Sequence, residues 1–357
     1  ECNKNAQQAA LQASMKAVSG IEAKGEPKIG LDEFMAVCER FGFDDDTLDS
    51  IRKAVGSHNW GGGPFLANFY SGLPESKVQA MERTARELFG VSHALAVSSG
   101  TGALHSAFVA AGAGPGKEVI CPAIGFFATS CAVEVAGAKA VFCDVDESLH
   151  IDPTKIEALI NDNTVAIAPT HVMGGVADMA GVMEVARRHH ITVVEDCAQS
   201  CGGMFQGRFI GTIGDLGCFS ISAYKIVGGG EGGLVLTNEA RLWERACQLA
   251  ESGGLWRPGR FDPPRYEGEL FCGTNYRLSE LEAAIDVVQL KKMPATVARF
   301  RKAKQEITKR LKSFRGIQPQ ILNDPTGEVG YSLRFYPETC ELGERIVAAL
   351  NDQKIGA

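Results

Sequence analysis

Between Trp60 and Asn238, short apolar runs alternate with stretches of helical period, and no other feature of the chain restricts its fold as strongly. His93–Val97, Glu118–Cys121, Ala138–Val145, Val165–Pro169 and Ile191–Glu195 read as buried strands. Gly102–Ala111, Ala128–Ala136 and Met179–His189 read as helices between them. A strand apolar on both sides needs cover on both sides, and a helical crossover returns the next strand parallel to the last. Two further runs, Leu216–Ile221 and Gly233–Leu236, bring the strands to seven. The expected fold is α/β: a mainly parallel seven-stranded sheet with helices on both faces.

The flanks read differently. Residues 1–56 form an N-terminal helical extension of three pieces, Asn5–Val18, Leu31–Phe41 and Asp46–Val55. Asp32 and Asp46 stand near plausible helix starts, and Gly42 and Gly56 mark stops. Nothing there points to chemistry, so a docking or oligomerisation appendage is expected. Past the sheet, Glu239–Glu251 and Leu278–Leu311 read as helices, followed by a strand at Gly330–Phe335 and a helix at Leu342–Leu350. The expected domains are therefore 1–56, a large α/β domain over 57–292, and a small, incomplete C-terminal α+β domain over 293–357. The chain opens on Glu1 rather than Met and ends without closing strands. A missing native start and a truncated C-terminus are expected.

Composition narrows the function classes. A length of 357 residues, 45% hydrophobic, supports a sizeable core. The net charge of −7, with no long basic run, points away from nucleic acid and anionic lipid. No run reaches the apolar length of a membrane span, and no secretory signal opens the chain. Eleven scattered cysteines fit reduced thiols in the cytoplasm better than a disulfide scaffold. Cys197 and Cys201 lack the second ligand pair of a zinc site and read as packing residues.

Two glycine motifs mislead. Gly228 to Gly233 has the spacing of a dinucleotide fingerprint, but the apolar run after it reads as strand, where that fingerprint needs a helix. Gly112 to Lys117 resembles a phosphate loop, yet Ala111 and Glu118 occupy two of its required positions.

Four other segments are more informative. Ser98-Ser-Gly-Thr-Gly-Ala-Leu104 is a turn of small residues from strand to helix, where backbone N–H groups can approach a phosphate. Thr101 adds a hydroxyl; such turns are also common plain connectors. Asp196 follows an apolar strand, at the sheet edge where ligands collect. A carboxylate there can hold a pyridinium N–H, or simply cap the next helix. Lys225 follows the strand ending near Ser220 and precedes the glycine run, which leaves room for a covalent adduct. A solvated loop lysine is the alternative. In Pro122-Ala-Ile-Gly-Phe126-Phe-Ala-Thr129, Phe126 can cover a planar ring or serve as core.

In their order and spacing, these segments resemble the sugar aminotransferases of the DegT/StrS type, among the fold type I enzymes that use pyridoxal 5'-phosphate (PLP). The resemblance runs from about Trp60 to Ala357 and is sharpest at Ser98–Leu104, Glu195–Gln199, Gly214-Asp215, Phe219-Ser220, Lys225, Gly230–Gly233 and Gly273–Glu280. It implies PLP bound covalently to Lys225, with Asp196 on the pyridine nitrogen, Phe126 stacked on the ring and Gln199 beside its hydroxyl. Ser99, Gly100, Thr101, Gly102 and Ser220 fall at phosphate-binding positions. Asn275 and Arg277 fall in a segment that reaches a neighbouring subunit's site, which implies a homodimer with shared active sites. His171 matches a position near the cofactor or is a satisfied core histidine.

The implied activity is transfer of an amino group from glutamate or glutamine to a keto group, commonly of a nucleotide-linked sugar. Arg257, Arg260 and Arg265 could meet its diphosphate or form a solvated basic loop. A related sugar dehydratase would be expected to carry histidine in place of Lys225. A PLP-binding regulatory protein would keep the fold without releasing a keto acid. Residues 1–56 have no counterpart in the family pattern, and the missing end of the small domain removes residues that often complete the substrate pocket.

Overall fold

The computed structural model describes residues 29–58, 60, 66, 76–253, 270–311 and 314–356, and the chain divides into two compact units, 1–76 and 77–357. In the first, helices span Leu31–Glu39 and Asp45–Val55. The second of these is capped by Asp44, two residues ahead of the expected Asp46: its side chain accepts from the Thr47 N–H at 2.8 Å and satisfies a first-turn donor. The first ends at Glu39, capped by Arg40, and Gly42, at φ +73°, turns the chain just beyond it. The expected helix over Asn5–Val18 lies outside the described residues.

The second unit is built on a seven-stranded sheet. Its strands are β1 (His93–Val97), β2 (Glu118–Pro122), β3 (Lys139–Cys143), β4 (Thr164–Ile167), β5 (Thr192–Asp196), β8 (Leu216–Ser220) and β9 (Gly233–Thr237), in the order β1-β9-β8-β5-β4-β2-β3. Two short strands, β6 (Met204–Phe205) and β7 (Arg208–Phe209), pair with each other. Only β9 runs against the other strands of the large sheet, between β1 and β8. The expected strands fall in place to within a few residues, because each is a short run buried on both sides.

Leu95, Val97, Val119, Cys121, Val194, Leu216, Cys218 and Val235 point to one face. There they pack with Leu104, Ala107 and Phe108 of the helix Gly100–Ala110, with Ala132 and Val133 of Ala128–Val135, and with Ala246 and Cys247 of Ala240–Ala250. The alternate residues, including Ile120, Val193, Phe219 and Leu234, are also buried. Phe219 meets Phe89 of the helix Lys77–Phe89 at 5.1 Å between rings, so the opposite face is covered too. Gly100–Ala110 is buried almost all round, as befits a helix at the centre of the packing.

One helix runs from Glu280 to Leu311, through Pro294. Beyond it, β10 (Ile317–Pro319) pairs with β11 (Phe335–Pro337), and a helix spans Cys340–Asp352. The strand expected over Gly330–Phe335 therefore starts at Phe335. The residues ahead of it are committed elsewhere: the Val329 N–H donates to Gly174 O at 2.7 Å, Ser332 Oγ to Met173 O at 2.5 Å, and Arg334 Nη1 to Val172 O at 3.2 Å. Gly330, at φ +87°, passes close to the Arg301 backbone.

Candidate active site

The C-terminal ends of β1, β2, β5 and β8 open at one edge of the sheet, the edge where ligands bind in this architecture. A cavity of about 270 Å³ lies there, lined by Ser99, Gly100, Thr101, Phe126, Asp196, Gln199, Ser220 and Lys225 together with Ala198, Ser222 and Glu231. Residues up to 132 positions apart in the chain, Ser99 and Glu231, meet in it, because successive parallel strands deliver their C-terminal loops to the same side.

Beyond β1, Ser99 caps the helix Gly100–Ala110, its Oγ accepting from the Gly102 N–H at 3.0 Å. Gly102 is thereby spent on the cap and does not line the cavity. The first-turn N–H groups of Gly100 and Thr101 have no helical acceptor, and the helix dipole adds positive potential beside them. The turn lies close against β8 and β9. A Cβ on Gly100 would stand 2.6 Å from Ser220 Cβ, and one on Gly233 2.3 Å from Ser99 O, so neither position admits a side chain. Glycine at both brings the Ser220 hydroxyl next to the helix N-terminus.

Asp196 ends β5 and is 3% exposed. Thr129 Oγ1 donates to its Oδ2 at 2.5 Å and the Ala198 N–H to its Oδ1 at 3.0 Å. Burial holds its pKa above the ordinary carboxylate value, against the opposing pull of those two bonds and of His171 and Lys225. A buried carboxylate in that state accommodates one more cationic donor, and the cavity is the open side. Thr129 carried no role in the sequence reading. Its signal was position: three residues after Phe126, one helical turn on, at the start of the helix after β2.

His171 is fully buried with both ring nitrogens engaged. Nδ1 accepts from the Ala177 N–H at 3.1 Å, which leaves Nε2 to donate to Glu195 at 3.1 Å. Of its two readings, the satisfied core histidine is the one whose bonds are present. His171, Glu195 and Cys197 bring ligand atoms within 4.8 Å of one another, yet Glu195 already accepts from three backbone N–H groups.

Phe126 is 54% exposed, its ring 4.3 Å from that of Phe127, and offers a free face at the cavity mouth. Gln199 is fixed from two sides: its Oε1 accepts from the Met173 N–H at 2.9 Å and its backbone O from the Gly174 N–H at 3.0 Å. The side-chain amide N–H₂ is thereby turned toward other partners. Lys225 also borders a second cavity, of about 370 Å³, which shares Ala198 and Gln199 with the first and is walled by Tyr224, Thr296, Phe300 and Tyr331.

Asn275 and Arg277 do not line the first cavity. They sit on an extended segment beside β1, where Asn275 bridges to Glu251, Arg277 bridges to Val97, and the Ser98 N–H donates to Tyr276 O at 2.7 Å. Tyr276, unnoticed in the sequence, packs against Gly102 and bonds His105 at 2.9 Å. Arg257, Arg260 and Arg265 lie outside the described residues. The Gly228–Gly233 run leads into strand β9, as its apolar sequel required.

The donor set matches a phosphorylated pyridine aldehyde. N–H groups and hydroxyls cluster at one end, a buried carboxylate able to hold a protonated ring nitrogen stands in the cavity wall, and Lys225 lines the same cavity. Comparison with known proteins agrees. The model of the DegT/DnrJ/EryC1/StrS aminotransferase family matches residues 71–357. A GDP-perosamine synthase of Caulobacter vibrioides is 39% identical over 218 residues, 61% of this chain and 57% of the relative. An L-glutamine:2-deoxy-scyllo-inosose aminotransferase of Streptoalloteichus tenebrarius is 34% identical over 284 residues, 78% of this chain and 65% of the relative. The chain thus spans 57% to 65% of the length of these two curated relatives. Among solved structures, S. venezuelae DesV superposes with a TM-score of 0.70 at 30% identity, covering 79% of this chain and 74% of its own. The chain belongs to the DegT/DnrJ/EryC1/StrS aminotransferase family, and its cofactor is pyridoxal 5'-phosphate.

Proposed function

We propose that this protein is a PLP-dependent aminotransferase that takes an amino group from glutamate or glutamine and places it on the keto carbon of a nucleotide-linked keto sugar, or of a related sugar or cyclitol. The observation that carries the reading is the meeting of Lys225 and Asp196 in one cavity beside a helix N-terminus. Ser99, Gly100, Thr101 and Ser220 bind the phosphate through N–H and hydroxyl donors. Asp196 accepts from the ring N–H, and Thr129 and the Ala198 N–H orient its carboxylate for that bond. Phe126 would cover the ring face, and Gln199 would stand at the ring hydroxyl. Gly102 supports the phosphate end from behind by anchoring the cap.

When bound, PLP supplies an electron sink for the pair left by a breaking C–H bond. Lys225 Nζ would hold the cofactor and, as a free amine, would take the proton from the donor's α-carbon and return it on the cofactor side. The same amine runs the two transfers in reverse for the acceptor. The second cavity receives the acceptor, with Phe300 and Tyr331 as apolar faces for a sugar ring and Thr296 as a hydroxyl partner. Asn275 and Arg277, which lie outside this chain's own cavity, serve the site of a second copy, so the working unit is a homodimer.

The test is spectroscopic. Protein incubated with PLP is expected to show a visible absorbance band that glutamate or glutamine bleaches, with release of the corresponding keto acid. K225A is expected to lose the band. A band indifferent to both donors would leave a PLP-binding protein without transaminase activity and overturn the proposal. Keto sugars that restore the bleached band would then name the acceptor.

A further inference from the structure

Behind Lys225 stands an acid pair that the chemistry above does not use. Glu282 and Asp286 are four residues apart on the helix Glu280–Leu311, so their carboxyls share one face. Asp286 is 0% exposed, and neither of its carboxylate oxygens, nor Oε1 of Glu282, has a hydrogen-bond partner. Both acids face the glycine turn. A Cβ on Gly229 would stand 2.3 Å from Asp286 Oδ1, and one on Gly230 2.7 Å from Glu282 Oε2. Gly230 also has φ +151°, so backbone and carboxyls approach here as only glycine permits.

The turn is stitched to the residues that carry the lysine. The Ile221 N–H donates to Gly232 O at 2.8 Å and the Ala223 N–H to Gly230 O at 2.8 Å. The Lys225 N–H closes its own turn onto Ser222 O at 2.9 Å. Lys225 therefore rides on a loop whose base is Ile221–Ala223 against Gly230–Gly232 and whose back rests on the two acids.

The charges around the pair are acidic. Glu282 is the charged group that acts on Asp286, and Glu231, on the turn itself, acts on Glu282. Glu280 is turned away, accepting from the Lys77 and Val78 N–H groups. The helix Lys77–Phe89 packs along the same long helix, but among the described residues none of its bases, Lys77, Arg83 or Arg86, is among the charges that act on the pair.

We propose that Glu282 and Asp286 are positioning residues for Lys225, an acid pair that seats the glycine turn Gly228–Gly233 and through it sets the lysine loop against the cofactor cavity. This deepens the aminotransferase reading and rests on it for the role of the lysine. Burial first, and the Glu282 charge second, push Asp286 up to about 8. With its proton in place, the pair faces the turn with at most one charge. Once that proton leaves, two like charges meet; the Glu231 N–H bonds Glu282 but the Asp286 oxygens have no donor, and the turn loosens.

Amide hydrogen exchange on the full chain tests this on the peptide that spans the turn. Corrected for intrinsic exchange, wild type is expected to lose on the order of tenfold protection between about pH 7 and about pH 9.5, as a one-proton equilibrium does once titrated. D286N and E282Q cannot become doubly charged and are expected to hold their protection over that interval. The same loss in wild type and both variants would overturn the proposal, as would no loss in wild type. Should D286N fold poorly, E282Q alone carries the comparison. The exchange readout needs no cofactor. A pH-sensitive turn in a chain that forms no PLP band sinks the aminotransferase reading, whereas a normal band with a pH-indifferent turn sinks only the acid pair.

Discussion

Strand β5 ends in two adjacent acids that point to opposite faces of the sheet and meet opposite fates. Glu195 is 0% exposed and saturated: Gly211, Ile213 and Gly214 donate backbone N–H groups at 2.8, 2.8 and 2.7 Å, and His171 donates from its ring. Asp196 is nearly as buried but receives one backbone N–H and one hydroxyl, and its other side is a cavity. Full saturation makes a carboxylate a staple for the loop it ties down. Partial saturation beside a cavity leaves it ready for a ligand donor. The difference separates structure from chemistry within two residues of chain.

The comparison can be broken at either acid. The largest effect is expected from E195A, which strips four donors of their buried acceptor and should cost about 3–5 kcal/mol of stability, read as a lower denaturant midpoint with or without PLP. If E195A folds normally and fails only in turnover, the staple reading is wrong. His150 extends the same side: it is buried, accepts from the Val172 N–H at 3.2 Å and has its pKa lowered to about 3, first by burial and then by His171 and Arg334. Because the folded value lies below the unfolded one, its contribution is complete above about pH 6.5 and disappears as pH falls toward 3, by up to about 4 kcal/mol at roughly 1.4 per unit. H150Q should flatten that acid limb in a pH series of melting temperatures.

D196N should act the other way, lowering turnover on the order of 10²–10³-fold while leaving the fold intact. Since Asp196 has a raised pKa, wild-type protein without PLP loses stability as pH rises from the ordinary carboxylate range toward the folded value. D196N without PLP should lack that loss, so its melting temperature at neutral pH should equal or exceed wild type; a marked drop would make Asp196 a second staple. The smallest effect is expected from T129V, which removes the bond to Asp196 Oδ2 and should weaken PLP binding by about 1–2 kcal/mol. A titration of the visible band measures it, and unchanged affinity would mean that Asp196 orients itself.

Much of this was legible in the chain. The seven strands could be read because each is a continuous apolar run, and the runs are continuous because both sheet faces are covered. Ser99, Asp196, Ser220 and Lys225 could be read because they lie at or just past strand ends, in motifs whose order and spacing resemble a known family. β10 and β11 could not: three residues each carry no period, and the apolar stretch from Gly330 is spent on the turn at Val172–Gly174. Thr129 lay beyond reach because its partner is 67 positions away, as did Glu282 and Asp286, whose partner is a turn more than fifty residues upstream.

By itself, the order of residues determined which segments are strands, which edge of the sheet gathers the polar groups, and which cofactor that set can hold. The strands and the edge follow from local hydrophobic pattern and the handedness of crossovers, which depend on neighbours along the chain, and the cofactor follows from motifs whose order resembles that of a known family. Only the tertiary structure decided that Glu195 is saturated while Asp196 keeps a side open to a cavity, and that the glycine turn rests on two acids. Such distinctions depend on how many donors reach a buried oxygen, and those donors arrive from loops that the sequence does not place side by side.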